Sequence, residues 1–381
     1  MKKILFLLIL LFFIIPGFSI TAKADNLSDS IKEQIDNIDL KEFEEYIENI
    51  NTLGDKDFRA YLGDLINGNF NFEFSSIFEY LLKSIFENIY KLLPVFISII
   101  AISIFSSIIN GVKGNFLSES TSDIIFFVCF LSIILLTAGT IISLFSEIKI
   151  AIENLSKLNE IMSPIILTLM IASGGKVSAG VYKPVVAFLS GGIINIILYV
   201  VLPLVGVMTV LGVLSNFSSS IKFKKFSSFV SSVIKWIVGL SVTIFSFFMT
   251  VQGITSATID GISLRATKYA ISNSIPIIGG FLKEGFDIVV AGSVLIKNSI
   301  GLIGVFSLFF TILSPVISIA VISLLFKLVS GITEPISDSR ISDYCTSISS
   351  GISYLLVSIL MVGFMFFITI LLMIFSANAF I

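Results

Sequence analysis

The sequence predicts an all-α protein that crosses the bilayer as a bundle of helices. Three observations predict it. More than half of the 381 residues are apolar and only 13% are charged, far too few charges to cover a soluble domain of this length. The mean hydropathy is +1.03. Apolar runs of about 18 residues or more recur, each long enough to cross a hydrocarbon core roughly 30 Å thick as a helix. Helices satisfy their backbone polar groups internally, as lipid demands, whereas a barrel would show short alternating segments.

Composition also narrows the chemistry. Histidine is absent, which removes the commonest metal ligand and the usual proton shuttle near neutral pH. Cys129 lies in an apolar run and Cys345 in a polar loop, so neither a disulfide nor a metal site is expected. Serine is abundant throughout, so its proximity to a lysine carries no information about Ser-Lys catalysis. The expectation is a protein that is not an enzyme, with no cofactor and no nucleic-acid partner.

The N-terminus reads as a cleavable signal over residues 1–24. Met1-Lys2-Lys3 is basic, Ile4 to Ile15 is apolar, and Pro16-Gly17 breaks the helix. Ala22-Lys23-Ala24 presents small residues for cleavage between Ala24 and Asp25. The apolar core is short for an uncleaved first span.

Residues 25–91 form an exported acidic segment, with fifteen acidic and six basic side chains. Leu27, Ile31, Ile35, Ile38, Leu40, Phe43, Ile47 and Ile50 recur at helical spacing, and Phe58, Tyr61, Leu62 and Leu65 form a second stripe. A turn is expected at Asn51 to Asp55. The acidic face is either a solvated surface or a dock for a basic partner. The stripes need burial, and so short a segment makes a marginal core alone. Packing on the membrane domain or on another protein is expected.

The membrane domain, residues 92–381, holds about six spans: Leu92 to Ile109, Ile124 to Phe145, Val185 to Leu214, Phe229 to Val251, Ser299 to Phe326, and Ile352 to Phe375. Glu147 to Pro184 and Gln252 to Asn298 read as interfacial or re-entrant segments, and counting them as crossings raises the number to as many as eight. Pro203 predicts a kink or strong tilt in the long third span. The signal places the mature N-terminus outside, and Lys222, Lys224 and Lys225 mark one cytoplasmic loop. Lys113 and Arg340 lie among acids and do not help.

An offset of 112 residues aligns Pro164-Ile165-Ile166 with Pro276-Ile277-Ile278 and Pro203 with Pro315. Either this is a parallel repeat, near 161–254 and 273–379, or a coincidence in an apolar background.

Charges beside spans are the candidate functional positions. Arg265, Lys268, Asp287, Lys297 and Asn298 either line a polar passage or contact site, or anchor helices at the interface with their cations snorkelling to water. Asp287 and Lys297 cannot pair on a straight helix, and Gly292 is the candidate break. Gly191-Gly192 and the Gly301/Gly304 pair suit close helix approach, and Asn195 suits a bond across helices.

This charged stretch also carries a likeness. Ile262-Ser-Leu-Arg-Ala-Thr-Lys-Tyr-Ala270, Asn273-Ser-Ile-Pro-Ile-Ile-Gly-Gly280 and Val294-Leu-Ile-Lys-Asn-Ser-Ile-Gly-Leu-Ile-Gly304 resemble the stage III sporulation protein AE family. Leu211-Gly-Val-Leu-Ser-Asn-Phe217 and Glu334-Pro-Ile-Ser-Asp338 extend it, as does the plan of signal, exported segment and multi-span domain. The resemblance implies a membrane subunit of the complex joining mother cell and forespore. It implies a channel or secretion-like conduit needed for late forespore gene expression. Its implied partners are proteins of the same operon and a forespore membrane protein. It supplies no catalytic residues. A self-sufficient small-solute transporter is the alternative.

Overall fold

The computed structural model describes residues 34–36, 38–50, 58–66, 74–111, 119–217, 223–274 and 279–376. The signal with Ala24 and Asp25, the turn at Asn51 to Asp55, Lys113, Lys222 and Pro276-Ile277-Ile278 lie outside the described residues. Among the described residues there is helix and no strand.

Two short helices come first, α1 (Lys41–Ile50) and α2 (Phe58–Ile66). Long rods follow: α3 (Phe74–Gly111), α4 (Glu119–Ala172), α5 (residues 176–217), α6 (Lys224–Ser274), α7 (Gly279–Thr333) and α8 (Ser339–Phe375). Each of these six is long and apolar enough to cross a membrane, and each expected span falls on a different one. The bundle is centred on the α7–α8 hairpin, whose helices are the most buried of the six.

The stretches between spans take a definite form. Residues 147–172 continue α4 and residues 252–274 continue α6, without a break. With 54 and 51 residues, these rods reach about 80 and 75 Å if straight, well beyond one bilayer crossing. The chain reverses between α4 and α5 at Gly174, whose φ of +90° is strained for a residue with a Cβ and whose backbone abuts Leu264 of α6.

The third span is irregular in the stretch that precedes Pro203. Pro203 has no N–H to donate one turn back, and its ring crowds that carbonyl. Immediately before it the rod widens into π-helical stretches at Phe188–Ile193 and Ile197–Val201. Among the described residues, nothing lies near the place a Cβ of Gly191 would occupy, and Gly192 meets only Phe188 of its own helix. The glycine pair therefore lies in the π-helical stretch and makes no close helix approach. Pro315 sits inside α7, which runs on as α-helix.

The central hairpin is joined by small side chains. Ser323 and Ser349 pair at 3.0 Å, Ser330 and Ser342 at 2.9 Å, and Ser330 and Thr346 at 2.8 Å. Seven residues separate the paired serines along each helix, so they recur on one face. Small residues let the backbones approach and hydroxyls bond across the seam. Gly301 lies against Ile374 of α8 and Gly304 against Met162 of α4.

α1 and α2 are seated on this bundle. Leu40, Phe43, Ile47, Phe58 and Leu62 are buried, and the Phe43 and Phe58 rings meet edge to face at 5.5 Å. Arg59 ties the pair together through Glu44 at 2.9 Å and Asp36 at 3.0 Å. Of the alternatives for burying the stripes, packing on the chain's own membrane domain is the one observed, on α4 and α7.

Candidate functional site

The membrane-edge charges gather where α6 and α7 run past the end of α8. Lys268 on α6 meets Asp287 on α7 at 2.7 Å. Asp287 therefore pairs across helices, and α7 continues unbroken through Gly292. Gly292 serves a close approach instead: a Cβ there would lie 2.9 Å from the Gln34 amide. Arg265 is exposed and Asn298 half-buried.

Lys297 departs from the snorkelling reading. Its side chain is fully buried, and its ammonium donates to the Ser376 carbonyl just past the end of α8. The last carbonyls of a helix lack intrahelical donors and carry the negative end of its dipole. A cation buried there is satisfied without reaching water. Ser376 also donates through its hydroxyl to Tyr182 of α5 at 3.2 Å. Lys297, Ser376 and Tyr182 thus tie α7, α8 and α5 together. Beside them, Tyr182, Phe245, Met249, Phe364, Leu372 and Ser376 help line an open, mostly apolar recess of about 490 Å³.

A third joint went unnoticed in the sequence. Asp260 on α6 is fully buried and accepts the backbone N–H groups of Val177 and Ser178 at 2.8 and 2.9 Å. These are orphan donors of the first turn of α5, whose own N-cap, Gly175, offers no side chain. That missing local cap was the one available signal. The carboxylate also meets the positive end of the helix dipole.

The seat of α1 is close by. The Tyr46 hydroxyl donates to the Asn154 carbonyl of α4 at 2.8 Å. Burial pushes this phenol up to about 12, against the lowering effect of its hydrogen bond with Thr311 of α7. It stays a neutral donor across the physiological range.

Residues of the resembling motifs form the opposite end. Asn216 donates to Ser347 of α8 at 3.1 Å and does so across helices, whereas Asn195 donates to the Gly191 carbonyl of its own helix. Asp338 caps α8 and receives the Arg340 guanidinium at 2.9 and 3.0 Å. Burial alone would raise the Asp338 pKa, but the Arg340 hydrogen bonds and charge outweigh it and hold the carboxyl below its ordinary range. The same guanidinium lies 3.7 Å over the Phe126 ring of α4.

The fold and these joints define a multi-pass helical membrane protein whose polar groups lock helices to one another. The family follows from comparison. A family model for stage III sporulation protein AE matches residues 56–377, and the chain belongs to that family. It is 26% identical over 324 residues to stage III sporulation protein AE of Bacillus subtilis (strain 168), covering 84% of this chain and 80% of that one. No solved structure matches it. The chain is thus a membrane protein of a sporulation family.

Proposed function

We propose that this chain is a non-catalytic membrane subunit of the complex that joins mother cell and forespore. It contributes to a channel or secretion-like conduit needed for late forespore gene expression. It sits in the mother-cell membrane around the forespore, with its mature N-terminus outside the cytoplasm. Its partners are the other membrane proteins of the same operon and a forespore membrane protein. The observation that carries the reading is the crown at one end of the bundle. α6 and α7 run past the end of α8, and α1 and α2 are locked onto α4 and α7. A scaffold that must hold partners beyond the bilayer needs such a projecting end.

Deleting the gene in a spore former tests this. Development is expected to arrest after engulfment, and normal spore yield from a clean deletion would overturn the reading. The self-sufficient transporter makes the opposite demand. Solute flux through the purified chain alone in liposomes would favour it.

A further inference from the structure

At one depth in the bundle, the two flanks differ in the charge they expose: Lys83, Glu87, Lys149 and Glu153 stand among apolar neighbours such as Phe86 and Ile150 on one, and Lys235 among apolar neighbours on the other. Depth is set by contacts between helices. Tyr46 bonds both Asn154 and Thr311, which puts these residues of α4 and α7 on one level. Ile312 packs beside Gly363 of α8. On α3, Asn88 meets Ser318 of α7 at 3.3 Å and Phe96 meets Phe326 at 5.0 Å, so Lys83 lies at this same level. On α6, Ser231 meets Tyr354 of α8 at 3.0 Å, and Phe245 and Met249 share a recess with Ile368 and Leu372. That register brings Trp236 within about one turn of the level.

Here the α3–α4 flank exposes Lys83 (73%) and Glu153 (48%). The α5–α6 flank exposes Trp236 (78%) and Leu240 (57%), and its one cation in this turn, Lys235, reaches along the helix surface to lie 6.0 Å from the Tyr354 ring centroid. The contrast reverses at the end bearing the Glu334–Asp338 turn. Thr137 of α4 bonds Tyr344, and Asn216 of α5 bonds Ser347, three residues along the same helix. Asn216 is next to the last residue of α5, and α6 opens with exposed Lys224 and Lys225. Below Thr137, α4 still has its apolar run from Ile124 to Leu136, with Ile124, Phe127, Val128 and Leu135 exposed. That run is about 20 Å long at 1.5 Å per residue.

Charges are costly in hydrocarbon, and a broad exposed apolar belt belongs in it. A bilayer square to the bundle would immerse Lys83 and Glu153 or leave Trp236 and Leu240 in water. It would also drown the lysines that open α6 or strand the lower part of α4. We propose that the bilayer meets this chain obliquely, its lipid-contacting belt sitting about 20 Å lower on the α3–α4 flank than on the α5–α6 flank. The length of α7 agrees. Its apolar stretch from Ser299 to Phe326 spans about 42 Å, longer than a hydrocarbon core of roughly 30 Å, as an inclined helix requires.

Two pairs of positions at matched depth test this in the full chain, reconstituted in liposomes in both orientations. The upper pair is Lys83→Cys and Trp236→Cys; the lower pair is Lys225→Cys and Leu135→Cys. Each is placed in a chain whose buried Cys129 and Cys345 are changed to alanine. A membrane-impermeant maleimide is expected to label the two lysine positions, and to reach the other two only after detergent is added. Equal labelling within either pair overturns the proposal. The unsubstituted chain gives an independent readout, because Trp236 is its sole tryptophan. Its fluorescence is expected to be quenched by phospholipids brominated on their acyl chains and spared by aqueous iodide. The reverse overturns the proposal.

Discussion

Lys297 shows how burial changes the meaning of a charge. Its sequence position beside a span made it conspicuous, but its acceptor, Ser376, lies 79 residues away and no local pattern signals it. Lys297→Met keeps the stem and removes the donor, leaving the end of α8 unsatisfied. It is expected to cost about 1–3 kcal/mol, read as a lower thermal midpoint in detergent. Asp260→Ala is expected to cost about 0.5–2 kcal/mol by uncapping α5, and Asp260→Asn less, because it keeps one acceptor. Equal losses for the two would contradict the capping role. Asp338 carries a pH signature. Its folded pKa lies below the ordinary carboxyl value, so its contribution is complete above that value and is lost as pH falls through the lowered one. Midpoints of the wild type and Asp338→Asn are therefore expected to differ at neutral pH and to converge at strongly acidic pH.

At the scale of elements, hydropathy revealed six spans because each apolar run lies on its own helix. It did not reveal where those helices stop. Residues 147–172 of α4 alternate buried and exposed positions at helical spacing, and such a pattern reads equally well as an interfacial segment. The glycines divide in a similar way. Their spacing suggests close approach, but only the three-dimensional neighbour decides it. Gly301→Leu pushes on Ile374 and is expected to cost about 1–3 kcal/mol by overpacking. Gly191→Ala has open space around its Cβ and is expected to be neutral or slightly stabilising. Paired unfolding curves check the contrast, and a larger loss at Gly191 would refute the packing assigned to the central hairpin.

For the whole molecule, the two N-terminal helices and the spans form one packed body. Sequence alone showed that the stripes of α1 and α2 need burial. It did not show what covers them, because Gln34 meets α7 some 259 residues further along the chain. If the crown is the working end, unseating α1 should abolish function while the spans stay in the membrane. The double variant Gly292→Leu/Tyr46→Ala does this, wedging Gln34 away and removing the bond to Asn154. The most direct measurement is the heat-resistant spore count of a spore former carrying this variant as its sole copy, with membrane protein level and protease sensitivity of α1 recorded alongside. The expected result is a normal level, a protease-sensitive α1 and loss of heat-resistant spores. An undiminished count with α1 demonstrably released would contradict the account.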